Sequence, residues 1–308
     1  ESIPIVLTQP NGDIIECYSS GDQYYHWVHD EEGYSIIQHE SNGYYYYAVK
    51  NNGLIEPSDF IVGTVNPNFL GIDKNIIINR GEYLRKRQLY WEELERRDAP
   101  SVGTINNINI FIRFADETEF PNSRNFYDQP FNLSEGPSLK HYFKEVSYDL
   151  LTVNTIHYPE SNPSDNLSYQ DQYPRSYYQP YNEVTNPNGY QNDNQARNRE
   201  HILLKNAVDS ISSQVSSDID VDANNDGYVD NVTFLVRGAP GAWAALLWPH
   251  RWVLYSQEAY INGARVYDYN LNLEIGGYFT VGTLSHEFFH SLGAPDLYHY
   301  WDDVAPVA

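Results

Sequence analysis

Methionine is absent and cysteine occurs once, as Cys17, in a chain of 308 residues. A lone cysteine excludes an internal disulfide framework, so the core must come from packing rather than cross-links. Positive charge is scarce: 19 Lys and Arg stand against 42 Asp and Glu, a formal net charge of −23. That balance excludes a broad electrostatic grip on nucleic acid or on anionic membranes, because both need clustered cations. No run approaches the roughly 18 consecutive apolar residues of a membrane span. With Glu1 first and no initiator methionine, the chain is expected to be a processed product.

What is present fits a globular protein. Hydrophobic residues make up 41% and charged residues 20%, far from the disordered range. The length fits two domains, each with enough chain for a core. The 28 Tyr outnumber the 12 Phe and 6 Trp combined, and an acidic, Asn- and Tyr-rich surface suits an exported, extracellular protein.

Along the chain, residues 1–62 read as short strands punctuated by turns. Pro10-Asn11-Gly12-Asp13 separates Ile3–Thr8 from Ile14–Tyr18, and Glu32-Gly33, Asn42-Gly43 and Asn52-Gly53 follow at regular spacing. This predicts a small β-rich module over 1–80. Residues 81–100 predict a basic helix and linker, with Arg85, Lys86, Arg87, Arg96 and Arg97 among Glu82, Glu92 and Glu93. From Ser101 strands and helices interleave: strands at 107–114, 151–156 and 229–236, helices at 137–150, 194–215 and 281–292, and a polar surface loop over 158–192. The expected class of the block 101–308 is α+β.

The last of those helices carries His286-Glu287-Phe288-Phe289-His290, a His-Glu-x-x-His motif. On a helix, positions i and i+4 share a face, so the two imidazoles can meet one ion while Glu287 reaches a water beside it. Zinc suits this donor set because it is redox-inert, accepts nitrogen ligands and acidifies bound water. Gly293 tolerates the positive φ that stops a helix, Pro295 prevents its resumption, and Asp296 arrives where a third ligand is needed. An N-cap or turn role for Asp296 is the alternative. The full pattern, His-Glu-x-x-His-x-x-Gly-x-x-Asp, resembles the metzincin spacing with Asp in place of the third His.

The segment HEFFHSLGAPDLY, His286–Tyr298, resembles the zinc signature of the immune inhibitor A family of secreted metallopeptidases. Phe111–Asp116, His141–Tyr148, Asp222–Val232 and Trp248–Trp252 resemble further segments of that catalytic domain, and Gly21–Tyr25 with Asp30–Tyr34 resemble its propeptide region. The resemblance implies a secreted zinc endopeptidase made as a zymogen. Its zincin-like domain, a mixed sheet with an active-site helix, would follow a β-rich prodomain. His286, His290 and Asp296 would be ligands, Glu287 the general base, and protein or peptides the substrates. The family's Met-turn segment is not in this chain, so the catalytic domain is expected to be truncated at its C-terminus. Basic residues ahead of the second block, Arg96-Arg97 above all, are the expected cut for an activating, trypsin-like protease.

Several other residues have two readings each. Asp222, Asn224, Asp226, the Tyr228 carbonyl and Asp230 match ligand positions of a calcium loop, but Thr233 stands where the bidentate Glu belongs and a strand follows. An Asx/Gly turn explains the same residues. Tyr298 could donate to the oxyanion of the scissile carbonyl or simply pack. Cys17 could serve as a latency-conferring zinc thiolate, although its place in the alternation Ile15-Glu16-Cys17-Tyr18 favours a small buried side chain. His250 and Glu274 could line a cleft or belong to the core. Asn132, Asn166 and Asn231 head glycosylation sequons. The rival reading of the whole chain is an exported binding or adhesion protein in which zinc is only structural; such a site would have four protein ligands.

Overall fold

The computed structural model describes residues 2–21, 24–92, 99–238, 248–275 and 279–294. The chain divides into two compact units. The first gathers Glu1–Leu94 with Ser176–Asp193 and Pro240–Leu247; the second gathers Glu95–Arg175, Asn194–Ala239 and Trp248–Ala308.

The first unit holds a six-stranded antiparallel sheet, β1 (Ser2–Thr8), β2 (Ile14–Gly21), β3 (His26–His29), β4 (Ser35–Gln38), β5 (Tyr45–Asn51) and β6 (Leu54–Ile61), paired in sequence order. Each turn falls where the sequence supplies Gly, Asn or Asp. At the first, the Gly12 amide donates to Gln9 O at 2.8 Å. Strand alternation sends Leu7, Ile15, Cys17, Val28, Ile36, Tyr45 and Tyr47 into one core. The buried Gln9 side chain ties that core together, accepting from Tyr45 N at 2.8 Å and donating to Val62 O at 3.0 Å. Helix α1 (Arg80–Glu92) follows. Part of the expected surface loop also belongs here: Asn182 donates to His39 O at 3.2 Å.

The second unit is mixed α/β. Strand β7 (Gly103–Arg113) leads through α2 (Arg124–Asn132) and α3 (Leu139–Val146) to β8 (Leu151–Tyr158) and the short β9 (Tyr169–Gln170). Helix α4 (Asp193–Ile211) precedes β10 (Val232–Val236) and β11 (His250–Val253). The two-residue pair β12 (Tyr260–Ile261) and β13 (Ala264–Arg265), then β14 (Asp268–Leu273), lead to α5 (Val281–Ser291). The sheet runs β11-β14-β10-β7-β8, with β9 pairing β7. All neighbours are parallel except β11, which lies antiparallel to β14 at the edge. A parallel sheet is covered on both faces, and β7 accordingly buries Ile108, Ile110, Phe111 and Ile112 in succession.

Successive residues of β14 point to opposite faces. Tyr269 meets Glu200 of α4, while Asn270 meets α5. The two helices therefore cover opposite faces. Leu284 and Phe288 of α5 pack into a cluster with Ile105, Phe131, Leu139, Phe143, Leu151 and Val153. Helix α2 was not anticipated, because Pro130 lies inside it; the helix is held instead by Tyr127 and Phe131, both fully buried.

Phe288 is the apolar anchor of the α5 face, 1% exposed. Phe288→Ala is expected to cost roughly 3–5 kcal/mol, read as a lowered urea midpoint for the second unit. A loss below about 1 kcal/mol would mean that α5 is not docked as described.

Candidate metal centre

The ends of α5 follow from its sequence. Thr280 is the N-cap, in extended backbone, and its hydroxyl accepts from Thr283 N at 3.1 Å. At the other end Gly293 has φ 90°, a left-handed value that favours glycine. Its amide donates to His290 O at 3.0 Å while the Ala294 amide donates to Phe289 O at 3.0 Å. This is the pair of reverse bonds that caps a helix through a left-handed glycine. The same turn brings Ala294 O to within 2.8 Å of His290 Nδ1.

That contact sets the tautomer. A carbonyl can only accept, so Nδ1 carries the proton and the lone pair of His290 sits on Nε2. His290 Nε2 lies 3.3 Å from His286 Nε2, with the rings at 82°. Two nitrogens bound to tetrahedral zinc at about 2.0–2.1 Å are about 3.3–3.4 Å apart, so the spacing fits one ion. It fits an N–H···N hydrogen bond from His286 equally well. Glu287 is 4% exposed. One ligand atom from each of His286, Glu287 and His290 lies within 4.8 Å of the others, and among the described residues no other group of three His, Cys, Asp or Glu side chains gathers in this way. The group could hold a divalent ion, and nitrogen-rich ligation of this kind is shared by zinc with other first-row metals.

Asp296, Tyr298 and Arg96-Arg97 lie outside the described residues. In the 222–230 loop, Asp222 accepts from the Asp226 and Gly227 amides at 2.9 and 2.8 Å, Asn224 from Asp226 N at 3.2 Å, and Asp226 from Tyr228 N at 2.9 Å. The loop thus closes on its own Asx turns, which is the metal-free explanation of those residues. Burial first, then the neighbouring Asp222, Asp220 and Asp226, push the Asp230 carboxyl up to about 6, against a lowering bond from Ala223 N. Thr233 is in a strand, as its place after the loop suggested. Cys17 is core, and burial pushes its thiol up to about 12, so at neutral pH it is a thiol rather than a metal-ready thiolate. Asn166 and Asn231 are buried, which removes them as glycan acceptors in the folded chain.

His250 and Glu274 are tethers. Glu274 accepts from Tyr127 Oη at 2.5 Å and from Gly238 N at 2.9 Å. Both ring nitrogens of the buried His250 face acceptors, Trp248 O at 2.6 Å and Glu200 Oε1 at 3.0 Å, so the ring must carry two protons. Burial, the largest single influence, would lower its pKa, but the Glu200 carboxylate, the Trp248 carbonyl and the Glu287 charge together outweigh it and the net direction is upward. Burial likewise works against the Glu200 charge, but His250, His201 and the Tyr269 hydroxyl hold it below the ordinary carboxylate range. Tyr269 and Glu200 were not singled out in the sequence; the alternation of β14 was the only signal for Tyr269, and for Glu200 it was a place on the buried face of α4 beside Leu203 and Leu204.

The chain matches no protein-family model, and no curated protein is significantly similar to it. The likeness to immune inhibitor A peptidases therefore rests on the quoted segments.

The His250–Glu200 pair gives a pH signature. A raised histidine contributes stability that is full below its unfolded pKa of about 6.5 and is lost as pH rises through the folded value. A depressed Glu contributes above its unfolded value and loses that contribution in acid. Urea unfolding of His250→Gln should therefore show a larger deficit against the parent near about pH 6 than near about pH 9. An equal deficit at both would contradict a buried imidazolium.

Proposed function

We propose that the second unit is the catalytic part of a secreted zinc endopeptidase with a zincin-like fold, His286 and His290 being two of its ligands. The observation that carries this reading is the pair of ring nitrogens 3.3 Å apart on one helical turn beside the buried Glu287. Asp296 would complete the protein ligands, leaving one position open. A metal held there supplies Lewis acidity and brings the pKa of a coordinated water to about 7.

The chain's own residues do the rest. His290 is fixed by Ala294 O, so its Nε2 stays available as a donor to the ion. Glu287 Oε would take a proton from the attacking water and pass it to the nitrogen of the scissile bond, so that the C–N bond breaks with a neutral amine leaving rather than an amide anion. Tyr298 would donate to the oxygen of the scissile carbonyl as charge builds there. The edge strand β11, antiparallel to β14, and the α5 face of the sheet suit such a domain. We further propose that the chain is a zymogen whose first unit is the pro-segment, released by cleavage in the basic stretch that includes Arg96-Arg97.

Glu287→Ala is the direct test, assayed after limited trypsin treatment of the full chain. It should bind zinc at the parent stoichiometry and lose casein hydrolysis by about 10²–10⁴-fold, the range for a lost general base. A variant that digests casein at the parent rate contradicts the mechanism, and a parent whose activity survives a zinc chelator contradicts the metal.

A further inference from the structure

A buried polar seam runs beneath α5. It starts at Thr155 of β8, whose hydroxyl accepts from Asn107 Nδ2 of β7 at 3.1 Å. Asn107 Oδ1 accepts in turn from Asn231 Nδ2 at 2.7 Å and from the Thr233 hydroxyl at 3.0 Å. Asn231 Oδ1 accepts from Ser291 Oγ at 2.8 Å. Ser291 Oγ accepts from Asn270 Nδ2 of β14 at 3.0 Å, and the same amide donates to Glu287 O at 3.0 Å. Asn107, Asn231 and Ser291 are fully buried, and Asn270 is nearly so.

Core positions of a sheet are ordinarily apolar, and a buried hydrogen-bonded pair adds little net stability over a well-packed apolar one. The seam also does not rescue an orphaned group of the helix. Glu287 O lies within α5, where the helical pattern already supplies Ser291 N as its donor. The Asn270 amide is therefore an added grip. It holds a main-chain carbonyl and a side-chain hydroxyl four residues apart, across the one turn that contains both Glu287 and His290. Hydrogen bonds are directional, so this grip fixes the rotation and axial slide of α5 over β14, which apolar contacts alone leave soft.

We propose that Asn270, acting with Ser291, is a positioning residue of the metal centre, setting the turn Glu287–Ser291 at the angle where the ring nitrogens and the carboxylate converge on one ion. The proposal rests on the peptidase reading above and deepens it. Sites of this kind need their ligands within about 0.5 Å and 10–20° of the productive geometry, and about 1 Å of misplacement can cost about 100-fold in rate.

The test uses the full chain with Asn270→Leu, Ser291→Ala and Ser291→Thr. Cobalt(II) serves as the metal probe because its visible spectrum reports ligand geometry. Asn270→Leu and Ser291→Ala should bind cobalt at least about tenfold more weakly with an altered spectrum. After trypsin treatment they should lose about 100-fold in kcat with KM within about twofold. Ser291→Thr, which keeps the hydroxyl, should recover both. If Asn270→Leu fails to fold, the Ser291 pair decides. Folded variants with the parent's cobalt affinity, spectrum and kcat overturn the positioning role while leaving the peptidase reading intact. A parent chain that binds no cobalt defeats the peptidase reading, and the positioning role with it.

Discussion

The proposed chemistry depends on two imidazoles separated by one helical turn, their ring nitrogens 3.3 Å apart. The His290 ring is not left to its own rotamer preference. His290 is turned by the carbonyl of Ala294, and that carbonyl is where it is because Gly293 accepts a left-handed backbone. The device that stops the helix is therefore the device that orients the ligand. Replacing Gly293 by any β-carbon residue would strain the turn, and the strain would fall on His290 rather than on a distant loop.

The second unit devotes an unusual share of its interior to polar side chains. Asn107, Asn109, Asn231, Thr233, Asn270, Glu200, His250 and Arg251 are all buried. A core built for stability alone would avoid them, since each must be matched by a partner or leave a desolvated group. They fall into two systems on opposite faces of the sheet. On the α4 face, charge is concentrated in the His250–Glu200–Tyr269 group. On the α5 face, amides and hydroxyls form the seam under the helix, with the buried Arg251–Asp268 ion pair on the same face of the sheet.

Much of this was legible from local chemistry. The turn at Pro10–Asp13, the β-rich first module and the stop of α5 at Gly293 followed from turn residues, strand runs and helix-ending glycine, which act within a few positions. The parts that escaped depend on contacts distant in sequence. Helix α2 carries an interior Pro130, which disfavours a helix locally, and the packing of Tyr127 and Phe131 against the sheet offsets it. The segment 176–193 reads as a polar loop of the second block, yet it packs with the first unit through pairs such as Asn182 and His39. In β14, alternating Asn and Leu suggest a half-exposed strand, whereas all its residues are buried, because Asn270 meets a helix rather than water. Motif spacing found the paired histidines; it could not find the asparagine beneath them, which has no spacing rule.

The central claim, that His286 and His290 share one zinc ion, is most directly tested by X-ray absorption at the zinc edge on stoichiometrically loaded protein. The predicted spectrum is a low-coordinate shell of nitrogen and oxygen at about 2.0–2.1 Å, with the outer-shell scattering of two imidazoles. A sulfur shell at about 2.3 Å, or failure to hold one zinc per chain, would contradict it.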